Sequence, residues 1–355
     1  MKILFCSYGY KPNIGGIETV SEILASYFVK QGHEVILVTL TEQKYIEDDH
    51  GNLFKIYRAP SSIKLIQLYA WADVIYQNHI TLRFLWPMVF FFNKPLVIAI
   101  RTWIEDSFLG KLKRWILSRS TAVIANSEAV RRREFKDAIV IGNPYEDSLF
   151  RRVDSVERDK ALVFLGRLVS DKGADILLSA FSELIKDSLF FEQTKKFKFS
   201  FTLSIIGDGP ELLNLKEHAE KLKVAHLVSF VGPLKGEQLV QKLNEHQILV
   251  VPSIWEEPFG VVALEGAACG CLVVGSSGGG LVDAIGDSGL LFKRGDIGDL
   301  VLMLKKAFYF SENQKEVLSK KRREKLLNHT QDAVGLRYLQ VIEKAFNNKK
   351  LVYES

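Results

Sequence analysis

The chain has 355 residues, 47% of them hydrophobic, with a formal net charge of +5 and three cysteines. That length exceeds one comfortable core and the apolar fraction can fill two, so two globular domains are expected. So modest a charge gives no reason to expect a nucleic-acid partner, and Cys6, Cys269 and Cys271 are too few for a disulfide framework.

In chain order, residues 2–6 read as a buried strand that begins without a signal-peptide layout, so a cytoplasmic setting is expected. A glycine-rich loop over 8–18, helical periodicity over 18–31 and an apolar run over 34–39 complete a βαβ start. The loop places Gly15 and Gly16 before Ile17 and Glu18, where a phosphate or sugar could approach the backbone; tight-turn chemistry explains the paired glycines equally well. Neither the G-x-G-x-x-G spacing nor an acidic partner is present, which argues against a dehydrogenase. Residues 74–76, 96–100, 122–125 and 139–141 are predicted as further buried strands, and continuous apolar strands imply a parallel sheet covered on both faces.

The aromatic run over 84–92, stopped by Asn93-Lys94-Pro95, is too short to cross a bilayer and reads as a buried helix, although its aromatics could face an acceptor or a membrane surface. Basic residues gather at Lys111, Lys113, Arg114 and Arg119, and again at Arg131, Arg132 and Arg133. Such helices can rest on anionic lipid, and a solvated helix face accounts for either cluster without any partner.

The strand pattern breaks over 143–147, and the charged stretch 151–160 reads as a linker, so the first domain is drawn at 1–152. A second series with apolar runs at 161–166, 201–206, 227–231, 248–251 and 271–274 fills 153–328, and both halves look doubly wound. The helical, charged tail 329–355 is expected to pack back over the N-terminal domain.

The chemistry concentrates in the second half. Ligands of parallel sheets sit at the carboxyl ends of strands, where Gly166-Arg167 and Lys172-Gly173 follow the first strand. A guanidinium fork and an ammonium at such a point suit a diphosphate, while a surface pair with Asp171 or Asp175 would also occupy Lys172. Gly207-Asp208-Gly209-Pro210 follows the next strand and reads as a turn on the same edge. After the strand at 248–251, Glu257 falls in a loop and Glu265 in a helix beginning near Val261. Two carboxylates directed into one crevice suit the vicinal hydroxyls of sugars, and the helix's first N–H groups suit a phosphate; capping and dipole roles would explain both glutamates without a ligand. Ser276-Ser277-Gly278-Gly279-Gly280 repeats the strand, glycine, helix layout. Cys269-Gly270-Cys271 has no second ligand cluster and reads as small residues packing a turn.

In their order and position, Gly15-Gly16-Ile17-Glu18, Ile124-Ala125-Asn126-Ser127-Glu128, Gly166-Arg167-Leu168, Lys172-Gly173, Gly207-Asp208-Gly209-Pro210, the glutamates around Pro258-Phe259-Gly260, and Gly278-Gly279 resemble the retaining glycosyltransferases of family 4. The resemblance covers most of the chain. It implies an α/β architecture of GT-B type, two Rossmann-like doubly wound domains facing across a cleft, that moves a sugar from a nucleotide-diphosphate-sugar to a glycan or lipid-linked acceptor. It further implies no metal or other cofactor, with an acceptor-binding first domain and a donor-binding second domain. The aromatic and basic segments add the expectation that a cytoplasmic protein lies peripheral to the inner face of the membrane. By the same resemblance Arg167 and Lys172 hold the donor diphosphate, Glu265 the ribose, and Glu257 the transferred sugar. The N–H groups of Phe259, Gly260 and Val261 complete the cradle, and Gly16 approaches from the first domain.

The chain departs from that pattern where members commonly carry a histidine, because Arg101 follows the strand at 96–100. His79, at another strand end, is a candidate replacement, and Asp283 stands where a glutamate often follows the glycine pair. A nucleotide-sugar-binding subunit without transferase activity, or a nucleotide-sugar epimerase, are the alternative readings.

Overall fold

The computed structural model describes residues 1–13, 15–42, 53–196 and 198–354, and the chain divides into two compact units. Met1–Pro144 and Gln331–Ser355 make up the first, and Tyr145–Thr330 the second. The sequence pattern drew these breaks at 152 and 328. Tyr145 and Phe150 are buried in a core of the second unit, so the segment before 152 goes with it.

In the first unit, β1 (Lys2–Ser7), β2 (Glu34–Thr39), β3 (Lys55–Arg58), β4 (Val74–Asn78), β5 (Leu96–Ile100), β6 (Ala122–Ala125) and β7 (Ile139–Val140) form a parallel sheet in the order β3-β2-β1-β4-β5-β6-β7. The central strands β4 and β5 are buried at every position, as their unbroken apolar character requires. Helix α1 (Gly16–Lys30) contributes Val20, Leu24 and Phe28 to one core. Helices α2 (Ser62–Trp71), α3 (Leu82–Leu85), α4 (Phe108–Arg119) and α5 (Glu128–Glu134) contribute Leu65, Phe84, Leu117 and Val130 to another.

The second unit has its own parallel sheet of β8 (Lys160–Leu165), β9 (Ser200–Ile206), β10 (Val228–Gly232), β11 (His246–Val251), β12 (Leu272–Ser277) and β13 (Leu290–Lys293), ordered β10-β9-β8-β11-β12-β13. Around it lie α6 (Ala174–Lys186), α7 (Ser188–Thr194), α8 (Leu212–Lys221), α9 (Gly236–Asn244), α10 (Val261–Ala268), α11 (Leu281–Ile285), α12 (Ile297–Phe308) and α13 (Glu312–Leu327). Residues of α6 and α12 share one core; those of α9, α10 and α11 share the other. The last helix, α14 (Gln331–Glu354), belongs to the first unit and packs on α1 through Val334, Tyr338 and Ile342.

Several expectations need correction. The run 84–92 is not a buried helix: α3 gives way to a 3-10 turn over Trp86–Val89, where Pro87 can supply no N–H to continue an α-helix. Val89, Phe90 and Phe92 are exposed there. Strand β7 is an edge strand with Ile139 and Val140 both exposed, not a buried one. The pattern also passes over β3 and β13, edge strands whose side chains are mostly only half-covered and so carry no continuous apolar run.

Candidate functional site

Within the second unit, four strand ends bring the sequence-picked residues onto one edge. After β8, Arg167 is exposed, and among the described residues its guanidinium has no hydrogen-bond or ion-pair partner. Leu168 next to it is tied to the loop after β9, donating its N–H to Asp208 O (2.9 Å) and accepting from Glu211 N–H (3.0 Å). The turn holding Lys172 is tied to the loop after β11, because the Asp171 carbonyl accepts from Ile254 (2.9 Å) and Trp255 (3.3 Å). That loop is tied in turn to the one after β12: Gly280 N–H donates to Glu257 O (2.7 Å) and Ser276 Oγ to Ser253 O (2.7 Å). Gly279, at φ 56°, lies so close that an added Cβ would stand 2.2 Å from the Glu257 carbonyl, a position open to glycine alone.

Lys172 Nζ meets Glu257 Oε1 at 2.5 Å, and Ser253 Oγ donates to the same oxygen at 2.8 Å. Lys172 therefore pairs with Glu257, not with Asp171 or Asp175. Phe259 is buried and its ring lies 5.4 Å from that of His329, so only its main chain can serve a ligand. Gly260 adopts a left-handed φ of 100° and Val261 opens α10 without a side-chain cap, which leaves the first N–H groups of the helix without intrahelical acceptors. Glu265 lies one turn into α10, and burial, with Glu146 as a lesser cause, pushes its carboxyl up to about 7. Sequence reasoning missed Ser253 and Asp171, whose Oδ1 is buried without a partner among the described residues. A hydroxyl four residues before the loop glutamate was the available signal for Ser253.

The first unit gathers a different group. Gly16 opens α1, and a Cβ added there would meet nothing within 4 Å, so packing does not demand a glycine. Asn78, at the end of β4, donates to Ser21 Oγ (2.7 Å) and Ile17 O (3.3 Å), fixing the start of α1. Arg101 is 5% exposed and turned inward. Its Nε donates to Asn78 Oδ1 (2.7 Å), Nη1 to Asn143 Oδ1 (2.9 Å) and Nη2 to Tyr76 Oη (3.2 Å), with the guanidinium 4.9 Å from the Tyr338 ring centre. It follows β5 as the sequence indicates, and its guanidinium is turned to these interior partners. His79, left-handed at φ 88°, accepts the Arg101 N–H at Nδ1 (3.3 Å). Burial first, then Lys113 and Arg101, lower its pKa to about 4. The ring is therefore neutral near pH 7, with its proton on Nε2, a donor and not a base. In the Asn126-Ser127-Glu128 motif, Ser127 caps α5, Asn126 donates to Arg101 O, and Glu128 binds Arg131 and Arg132.

Two family descriptions match the chain: "Glycosyl transferases group 1" over residues 146–325 and "Glycosyltransferase Family 4" over residues 14–133. The chain belongs to the group 1 glycosyl transferases of family 4, and its two Rossmann-like units have the GT-B fold. Similar curated proteins include an uncharacterised glycosyltransferase of Methanocaldococcus jannaschii, 35% identical over 38% of this chain and 32% of that protein. A D-inositol 3-phosphate glycosyltransferase of Corynebacterium jeikeium is 37% identical over 40% and 33%. Each match thus spans about a third of the relative's length. Among solved structures, Anabaena HepE in complex with UDP superimposes with a TM-score of 0.79 at 19% identity, covering 97% of this chain and 100% of that one. A glycosyltransferase from Rickettsia africae gives 0.80 at 16% identity, with coverages of 98% and 99%.

Two outcomes test this geometry. A carboxyl raised by desolvation, as half-buried Glu265 is, binds its proton more tightly in the folded chain, so stability falls as pH climbs from the ordinary value of 4.5 to about 7 and falls no further above it. Glu265→Gln is therefore expected to match the parent's Tm near pH 4.5 and to exceed it by a few degrees at pH 8; an equal offset at both pH values would contradict the burial argument. Arg101→Met strands the amide oxygens of Asn78 and Asn143 and is expected to cost about 3 kcal/mol in denaturant unfolding. A loss below about 0.5 kcal/mol would show that the inward contacts do not hold the fold.

Proposed function

We propose that the protein is a retaining glycosyltransferase that takes a nucleotide-diphosphate-sugar and passes the sugar to a hydroxyl of a glycan or lipid-linked acceptor. The observation that carries this reading is the Arg167 guanidinium, unpartnered among the described residues, on the same strand edge as the Lys172–Glu257 pair and the uncapped start of α10. In the transition state the departing diphosphate gains charge, and donors fixed in advance bind it more strongly than they bind the ground state. Arg167 and Lys172 supply that charge without a metal ion. The N–H groups of Phe259, Gly260 and Val261 receive phosphate and sugar oxygens.

When the diphosphate draws Lys172, Glu257 keeps its bond from Ser253 and its carboxylate turns to the hydroxyls of the transferred sugar. Glu265 accepts the ribose hydroxyls as a carboxylate, so donor affinity rises as pH passes through about 7. His79, neutral and protonated at Nε2, is a hydrogen-bond donor and takes no proton from the acceptor. The diphosphate itself takes that proton on the face it leaves, which retains the anomeric configuration. HepE's complexes with UDP and with UDP-glucose make UDP-glucose the first donor to try.

Release of nucleoside diphosphate that depends on added acceptor is expected of a transferase; donor binding without release would favour the non-transferring subunit, and release independent of acceptor the epimerase. Arg167→Gln should lower kcat about 10²- to 10³-fold, and unchanged turnover would remove the basis of this reading.

A membrane surface as the acceptor's location is supported by α4, whose outward face is apolar. Phe108, Leu112, Trp115 and Arg119 recur at helical spacing with Phe108 82% and Trp115 57% exposed, the reverse of an ordinary surface helix. Arg119 lies 5.5 Å from the Trp115 ring centre, and exposed Lys111 flanks the stripe. Arg114 and Arg133 are held by Glu134, Arg114 also by Asp106, and Arg131 and Arg132 by Glu128, so the basic face reduces to exposed Lys111 and Arg119 with half-buried Lys113, and Glu105 is the acidic neighbour. Among the described residues no helix is long and apolar enough to cross a membrane. The full chain is expected to sediment with vesicles rich in anionic lipid, and Phe108→Ser with Trp115→Ser to leave it in the supernatant; equal sedimentation of both proteins would refute the contact.

A further inference from the structure

At the amino ends of β8, β11 and β12, opposite the edge that carries Lys172 and Glu257, three arginines converge on Gly270. Arg158 donates from Nη1 to His246 O (2.6 Å) and from Nη2 to Cys269 O (2.7 Å). Arg322, on α13, donates from Nη1 to Gly270 O (3.2 Å) and Cys271 O (3.3 Å). Gly270, at φ 88°, leaves the space they occupy: a Cβ there would stand 2.7 Å from Arg158 Nη2 and 3.7 Å from Arg152 Nη1. One cation at this point is ordinary, since carbonyls at the end of α10 attract it. Three are not, because each further guanidinium repels the first.

The partners of Arg158 and Arg322 are neutral oxygens and a thiol, and among the described residues neither has a carboxylate partner. Arg152 meets Asp154, whose side chain is 91% exposed. Burial and the nearness of Arg158 and Arg152 loosen the hold of Arg322 on its proton. The arginines line a cavity of about 480 Å³ whose other walls include Phe308, Phe310 and Lys315. Glu312, held by Lys315, and the exposed Glu316 also line it. A neighbouring cavity of about 430 Å³ shares Arg152 and Arg322 and adds Arg323.

We propose that this cavity binds a phosphorylated small molecule, its phosphoryl group held by Arg152, Arg158 and Arg322 and its body lying on the phenyl rings. Guanidinium forks match phosphate oxygens two at a time, and a dianion relieves the mutual repulsion that the carbonyls leave in place. The site is separate from the one assigned to the donor and does not depend on that assignment.

The test is calorimetric titration of the full chain with inorganic phosphate and with phenyl phosphate, at ionic strength held constant with KCl. The background is Arg167→Gln with Lys172→Gln, which removes the cations of the donor edge. Saturable binding of both probes is expected there, weakened about tenfold by Arg322→Gln. Should that variant fail to fold, Arg152→Gln, which touches no main-chain carbonyl, is expected to weaken binding about threefold. Binding that disappears with Arg167 and Lys172, or that ignores Arg152 and Arg322, overturns the site. Binding of phosphate with exclusion of phenyl phosphate overturns the phosphorylated-molecule assignment in favour of a simple ion.

Discussion

The bond from Gly280 N–H to the Glu257 carbonyl is the constraint on which the site of the second unit rests. With the Asp171 carbonyl receiving Ile254 and Trp255, it fastens three loops that belong to three different strands. Loops are ordinarily the mobile part of such a fold. Here main-chain bonds join the loops after β8, β11 and β12, so Lys172 and Glu257 are placed by backbone geometry and not by side-chain chance. That is the condition for a preorganised electrostatic site.

The two glutamates of this region are only eight positions apart and live in opposite surroundings. Glu257 rests against an ammonium and a hydroxyl. Glu265 lies in α10, where desolvation and then Glu146 raise its carboxyl. Environment, not residue type, gives two identical side chains different chemistry. In the first unit the same logic runs through Arg101. A cation expected near a ligand is consumed in joining β4, β5, the segment at Asn143 and the ring of Tyr338 on α14. Through Asn78 it also sets the first turn of α1, where Gly16 stands, and through its N–H it sets the tautomer of His79.

Much of this was legible beforehand. The central strands declared themselves because burial on both faces demands unbroken apolar runs, and β5 and β6 were read to the residue. The glycine loops and the glutamate pair fell at strand ends because parallel sheets put their connections there. What escaped notice lay at edges and in orientations. Strands β3 and β13 lack the continuous pattern since their side chains are mostly only half-covered. The aromatics of 84–92 looked like core, yet Pro87 broke the helix and turned Phe90 and Phe92 outward.

The sequence by itself determined two doubly wound units, the order of their central strands along the chain and which residues stand at those strands' ends, because side-chain period and turn chemistry are local properties. Only the tertiary structure decided that Arg101 points inward, that Lys172 pairs with Glu257, that the face of α4 is inverted and that three arginines meet at Gly270. Each of these depends on which distant segment supplies the partner, and partners such as Tyr338, Arg322 and Asn143 stand too far along the chain for any local pattern to announce them.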